Sequence, residues 1–195
     1  TYKVAPKAFL QWTKFVAAAI FLSVVVCLVL VYTNVFSGVG GNDFFVPQCI
    51  VGGVVAVGLF ITVMEFLLYK QFVDVFYKKT EGHNFYAKRA PKGEVKRRII
   101  ISGHCDAAYE WRHIYYTKKL HMPHLMGILM GWTIGGAVIS VIVAVITIIA
   151  NFVNMGAFGD FMLNYSYYFH CLMALGMVPL FLFVDFKTLS PGAND

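Results

Sequence analysis

Two short stretches of this chain carry side chains suited to holding a metal ion. In Ile99-Ile100-Ile101-Ser102-Gly103-His104-Cys105-Asp106, a β-branched run leads through Ser-Gly into a His-x-Asp. A neutral imidazole binds zinc through one ring nitrogen and needs an acceptor for the N–H on the other. His104 is therefore the candidate ligand, and Asp106 the carboxylate that orients it. The second stretch, Ser190-Pro191-Gly192-Ala193-Asn194-Asp195, reads as a loop delivering another carboxylate, Asp195. An imidazole and a carboxylate converging on one cation is the arrangement used in metal-assisted hydrolysis.

The elements that must position these residues are unusual. Of the 195 residues, 59% are hydrophobic and 13% charged, about half the charge of an ordinary soluble chain, at about 25%. A helix crosses a bilayer core of about 30 Å with roughly 20 apolar residues. Four runs qualify: 15–36, 46–69, 125–153 and 161–184. None contains an interior Lys or Arg. The spacing predicts four transmembrane helices in two hairpins. An arm precedes them (1–14), a polar segment separates the hairpins (70–124), and the chain returns to that polar segment's side at 185–195. The loops inside the hairpins lack Lys and Arg, whereas the arm, the 70–119 segment and Lys187 hold all sixteen. The positive-inside rule places both termini and the His-x-Asp in the cytoplasm. Two spans separate His104 from Asp195, so both fall on one side, as ligands of one site must.

Within the polar segment, Asn84 to Arg89 and Val95 to Ser102 read as two strands joined by the turn residues Ala90-Pro91-Lys92-Gly93-Glu94. The continuous run Ile99–Ile101 predicts burial on both faces. Such a piece is too small to bury a core of its own. The chain lacks an initial Met and ends inside the Asp195 loop, so it reads as part of a longer protein. The four cysteines form no CxxC pair, and no disulfide framework is implied.

Taken in order, Asn84-Phe85-Tyr86-Ala87, the turn, Arg98 to Asp106 and Ser190 to Asp195 resemble the opening of the co-catalytic zinc aminopeptidase family (peptidase family M twenty-eight). That family includes glutaminyl cyclase and transferrin-receptor-like relatives. The resemblance implies the start of an α/β zinc-peptidase domain, with the short β-hairpin as its visible part. It implies zinc, two ions in the full site, with His104 and Asp195 as metal ligands and Asp195 bridging. It also implies a peptide substrate, hydrolysed at its N-terminal bond. Asp106 would orient His104. The general-base glutamate and the remaining ligands would lie past Asp195. Two departures stand out. Ala107 takes a place where the family often has Ser, and a two-span membrane insertion replaces a short loop.

Other side chains have two readings each. Glu110, Trp111 and Arg112 are candidates for the substrate entrance; as an interfacial belt they would need no substrate. His121 and His124, at HxxH spacing, suit an auxiliary metal or the capping of the third span. His170 lies inside the fourth run, where ionisable groups are functional by default. Glu65 and Asp185 read as span-end carboxylates. Gly127, Gly131 and Gly135 repeat every fourth residue, which favours close helix packing, within the bundle or between protomers of a homo-oligomer. The basic residues Lys88, Arg89, Lys92, Lys96, Arg97 and Arg98 suit anionic lipid headgroups rather than nucleic acid. Three functions follow: a membrane-anchored zinc peptidase, a catalytically inactive relative serving as receptor or scaffold, and a small membrane transporter built around His170.

Overall fold

The structure, a computed structural model, describes residues 2–37, 42–83, 87–90, 93–94, 97, 99–101, 109–110, 119, 124–181 and 185–189. It is mostly helical. Helix α1 runs Ala8–Tyr32, α2 Phe45–Thr62, α3 Leu125–Phe152 and α4 Gly156–Leu175, followed by a short α5, Val178–Phe181. A π-helical turn, Val63–Leu67, extends α2, and a 3-10 turn spans Phe72–Phe76.

Among the described residues, three helices are long and apolar enough to cross a membrane: Gln11–Tyr32, Phe45–Leu67 and Gly127–Phe152. Helix α4 has the length, at 20 residues, but Asp160, Asn164, Ser166 and His170 lower its hydropathy. The predicted fourth run, 161–184, is broken after Leu175. Pro179 lacks the N–H that would continue the ladder and disfavours helical backbone before it. The chain turns at Gly176–Met177 and restarts as α5.

The helices pack with polarity reversed from a soluble bundle. Leu22, Val25, Val26, Val29, Val57, Phe60, Ile142 and Ile149 face outward, while Gln48, Ser140, Thr147, Ser166 and His170 are buried. The buried face of α3 is Thr133, Ala137, Ser140, Ala144 and Thr147, spaced alternately by four and three. In an apolar solvent, burial of apolar surface drives nothing, and small or hydroxyl-bearing residues that allow close approach take over. Gly52 shows this: a Cβ there would collide with the Ala144 methyl.

Cross-helix hydrogen bonds fix the arrangement. Tyr167 donates to the Val24 carbonyl at 2.8 Å, tying α4 to α1. Ser166 Oγ lies 2.5 Å from Gln48 Oε1 and 3.1 Å from Thr147 Oγ1, joining α2, α3 and α4. At one end of the bundle the first hairpin's turn meets the second hairpin: Asn42 donates to Asn164 Oδ1 of α4 at 2.9 Å, and Phe45 at the start of α2 stacks edge-on against Phe152 at the end of α3 at 6.2 Å. Both hairpins therefore close at the same end and open at the other.

A two-stranded antiparallel sheet ties each open end. Strand β1, Tyr2–Val4, pairs with β2, Thr80–Gly82, in the register Lys3↔Glu81. Strand β3, Tyr109–Glu110, pairs with β4, Asp185–Leu189, with Tyr109 opposite Leu189 and Glu110 opposite Asp185.

The sequence expectations need correction in the polar segment. Residues 99–101 form no strand, and Ile101 is 94% exposed. A β-branched run becomes a strand only beside a partner that completes its ladder. Among the described residues, the paired strands are committed to one another. Residues 87–90 are likewise irregular, and the rest of the expected first strand lies outside the described residues.

Candidate functional site

The metal-ligand candidates His104 and Asp195, the orienting carboxylate Asp106, and the entrance candidates Trp111 and Arg112 lie outside the described residues. So do His113, His121 and Cys105. Glu110 is described in its backbone, as the second residue of β3. Among the described residues, no cluster of three or more His, Cys, Asp or Glu is placed to hold a metal.

The described backbone on either side of these residues is informative nonetheless. Tyr109 follows Asp106 by three positions and His104 by five, and Leu189 precedes Asp195 by six. Tyr109 and Leu189 face each other across the β3–β4 ladder. The pairing is antiparallel, so the N-terminal end of β3 and the C-terminal end of β4 lie together. The insertion of α3, α4 and α5 thus returns the chain to where it left.

A second group of polar side chains occupies the bundle interior. His170 is fully buried. Its Nδ1 lies 2.5 Å from Ser140 Oγ, and its Nε2 has no hydrogen-bond partner among the described residues. The rings of Tyr167 and Phe169 stand edge-on to it at 6.0 and 6.3 Å. One turn towards the closed end, the Gln48 amide donates to the Met162 and Leu163 carbonyls at 3.4 Å, and Ser166 also hydrogen-bonds to the Met162 carbonyl. Nearer the open end, Thr133 Oγ1 contacts the Gly176 carbonyl at 2.5 Å. His170 was legible in the sequence as an ionisable group in an apolar run. Gln48 was not singled out, although a lone amide in such a run carries the same signal.

Three further expectations are redefined. Glu65 does not extend to solvent as a simple span-end charge: its Oε1 accepts the Val73 backbone N–H at 2.7 Å and caps the 3-10 turn. Burial first, and then this carboxylate, push the nearby Tyr77 phenol above its ordinary range. His124 stands at the N-cap of α3, exposed, with no side-chain cap bond. Among the described residues, a Cβ added at Gly127, Gly131 or Gly135 would meet nothing within 4 Å, whereas one at Gly136 would press on Met173.

The chain matches no protein family, no curated protein and no solved structure.

Proposed function

We propose that this chain belongs to a multi-pass membrane protein of four spans, with metal-dependent peptidase chemistry of the aminopeptidase type at its cytoplasmic end. The observation that carries the reading is the facing of Tyr109 and Leu189. It supports a site split by two spans, because the described residues nearest the two candidate segments are paired. The donor set also fits: imidazole with carboxylate is a zinc-type set, and a carboxylate two residues from the histidine suits its orientation. In this reading His104 and Asp195 hold zinc, Asp106 accepts the imidazole N–H, and β3–β4 sets the distance between the two segments. Zinc would supply Lewis-acid activation of water and carbonyl. The substrate is a peptide presented at the membrane face.

Four spans and cytoplasmic termini are supported by the common open end of the hairpins and by the absence of Lys and Arg from residues 33–44 and 153–160 at the closed end. The exposed Lys88, Arg89 and Arg97 then face anionic headgroups. The test is metal content of the full protein. Wild type binds zinc, and His104→Ala and Asp195→Ala each lower its stoichiometry. Equal zinc in all three proteins refutes the assignment.

The unpartnered Nε2 of His170 favours one second reading, a transporter in which this imidazole handles a proton or ion in mid-membrane. The two readings separate by mutation. If His170→Ala abolishes activity and His104→Ala does not, transport stands; the reverse supports the peptidase.

A further inference from the structure

Just past the second span, the chain makes a turn that neither hairpin nor candidate site requires. The α2 helix with its π-helical extension covers Phe45–Leu67, 23 residues, or about 34 Å. That already exceeds a bilayer core of about 30 Å. Tyr69 and Gln71 then both adopt left-handed backbone, each with φ of 49°, a conformation non-glycine residues take only at some cost. The result is a sharp reversal. Phe72 comes back against Phe60, with ring centroids 6.3 Å apart, so the 3-10 turn Phe72–Phe76 lies along the flank of α2 rather than beyond its tip. Two contacts pin it there: Val73 is buried, and its N–H is capped by Glu65.

What the reversal displays is apolar and aromatic. Val75 is 70% exposed and Phe76 80% exposed, on a segment fixed at the level of the last turns of a membrane-length helix. Cations frame it. Lys70, Lys78 and Lys79 flank the turn, and the β1–β2 ladder brings the arm with Lys3 and Lys7 to the same end; all five are exposed. Among the described residues, three carboxylates, Glu65, Asp74 and Glu81, oppose these five cations locally. The closed end offers the opposite balance, Asp43 and Asp160 without Lys or Arg.

We infer that residues 69–79 form an interfacial anchor, in which Val75 and Phe76 insert among acyl chains and the surrounding lysines bind the headgroups of anionic phospholipids. The occupant is chosen by charge complementarity together with depth: apolar rings at the span boundary, ringed by lysines, match a leaflet whose tails and phosphates lie at those levels. The anchor fixes the height of the open end in the membrane and, through β2 and β1, holds the arm against the surface. It rests on the membrane half of the proposed function and is independent of zinc.

The test places the photocrosslinking residue p-benzoyl-phenylalanine at Phe76 of the full protein, reconstituted in vesicles of phosphatidylcholine and phosphatidylglycerol at a 7:3 ratio. Adducts are identified by mass spectrometry. Position 76 is expected to capture phospholipid, with phosphatidylglycerol about threefold over its share of the bilayer. Lys78→Gln with Lys79→Gln is expected to bring that excess down towards the bulk ratio while lipid capture persists. Capture of protein or no adduct overturns the inference, as does a bulk lipid ratio in the unsubstituted lysine background. Alkaline carbonate extraction separates the failures. A protein that stays in the membrane yet captures no lipid refutes the anchor alone; a protein released by carbonate refutes the membrane reading with it.

Discussion

Replacing Gln48 with Leu should loosen the joint between the two hairpins by a predictable amount. The Gln48 side chain is fully buried and makes three contacts to α4. One is short, 2.5 Å between its Oε1 and Ser166 Oγ. The two to the Met162 and Leu163 carbonyls are long, at 3.4 Å. Polar contacts between membrane helices average about 0.6 kcal/mol and reach about 1.7. The short bond belongs near the upper figure and the long ones near the lower. The loss is capped because nothing is orphaned: Ser166 keeps Thr147 and the Met162 carbonyl. Gln48→Leu should therefore cost about 1–2 kcal/mol. Ser166→Ala should cost at least as much, because it leaves the buried Gln48 oxygen without its nearest donor. The double variant should fall short of the sum by about 1 kcal/mol. Equilibrium unfolding in mixed micelles, driven by an anionic detergent and followed by circular dichroism, measures all three. Strict additivity, or a stabilising Gln48→Leu, would refute the idea that this contact joins the hairpins.

Glycine substitutions in α2 should separate by position. Gly52→Ala drives a methyl into Ala144 and should destabilise by about 1–3 kcal/mol. Gly53→Ala meets nothing within 4 Å and should be neutral or stabilising by up to about 1 kcal/mol; the same unfolding assay reads both. Glu65→Ala should free the 3-10 turn, seen as faster amide exchange at Val73, whereas Glu65→Gln, which keeps an acceptor oxygen, should retain most of the protection. Cysteines introduced at Asn154 and Lys79 should react with an impermeant thiol reagent from opposite sides of oriented vesicles; labelling from the same side would end the proposed topology. Tyr109→Cys combined with Leu189→Cys should form a cross-link under mild oxidation, because facing residues of an antiparallel pair have Cα atoms about 4.5–5.5 Å apart. Tyr109→Cys with Asp185→Cys should not.

The spans were legible because a membrane selects for composition, and composition survives without knowledge of neighbours. Span ends were less so, because they depend on single side chains. Helix α1 stops four residues early, where the Thr33 hydroxyl takes the Val29 carbonyl and Asn34 goes left-handed at φ 58°. The glycine repeat on α3 does not mark the face that packs within the described bundle, for a related reason. Spacing reports a shared face but not which face is inward, and the inward one bears Thr133, Ser140 and Thr147 instead. The run Ile99–Ile101 has strong β-propensity, yet propensity describes fit to a pleated surface that a neighbour must supply. For the candidate site, the residue types and their order could be read directly. The return of the chain at Leu189 to Tyr109 could not, since it depends on the register of β3 with β4.

That return is held mainly by the helices rather than by the sheet. A two-stranded ladder with two residues on one side is marginal in isolation. Closing a free loop of the roughly 80 residues between Tyr109 and Leu189 would cost about 4 kcal/mol in chain entropy, plus a constant, more than so short a ladder can offset. The antiparallel packing of α3 on α4 meets that cost. Their interface, with Ser140 against His170 and Thr147 against Ser166, brings the chain back to its starting end before β3 and β4 meet. On the proposed peptidase reading, the inserted hairpin is a strut as well as an anchor. Variants weakening the α3–α4 interface, such as Ser140→Leu, should disturb the Tyr109–Leu189 pairing some distance away and, on the same reading, should lower zinc content. If zinc binding survived a demonstrable separation of α3 from α4, the hairpin would be a tether only, and the two segments would have to find each other by other means.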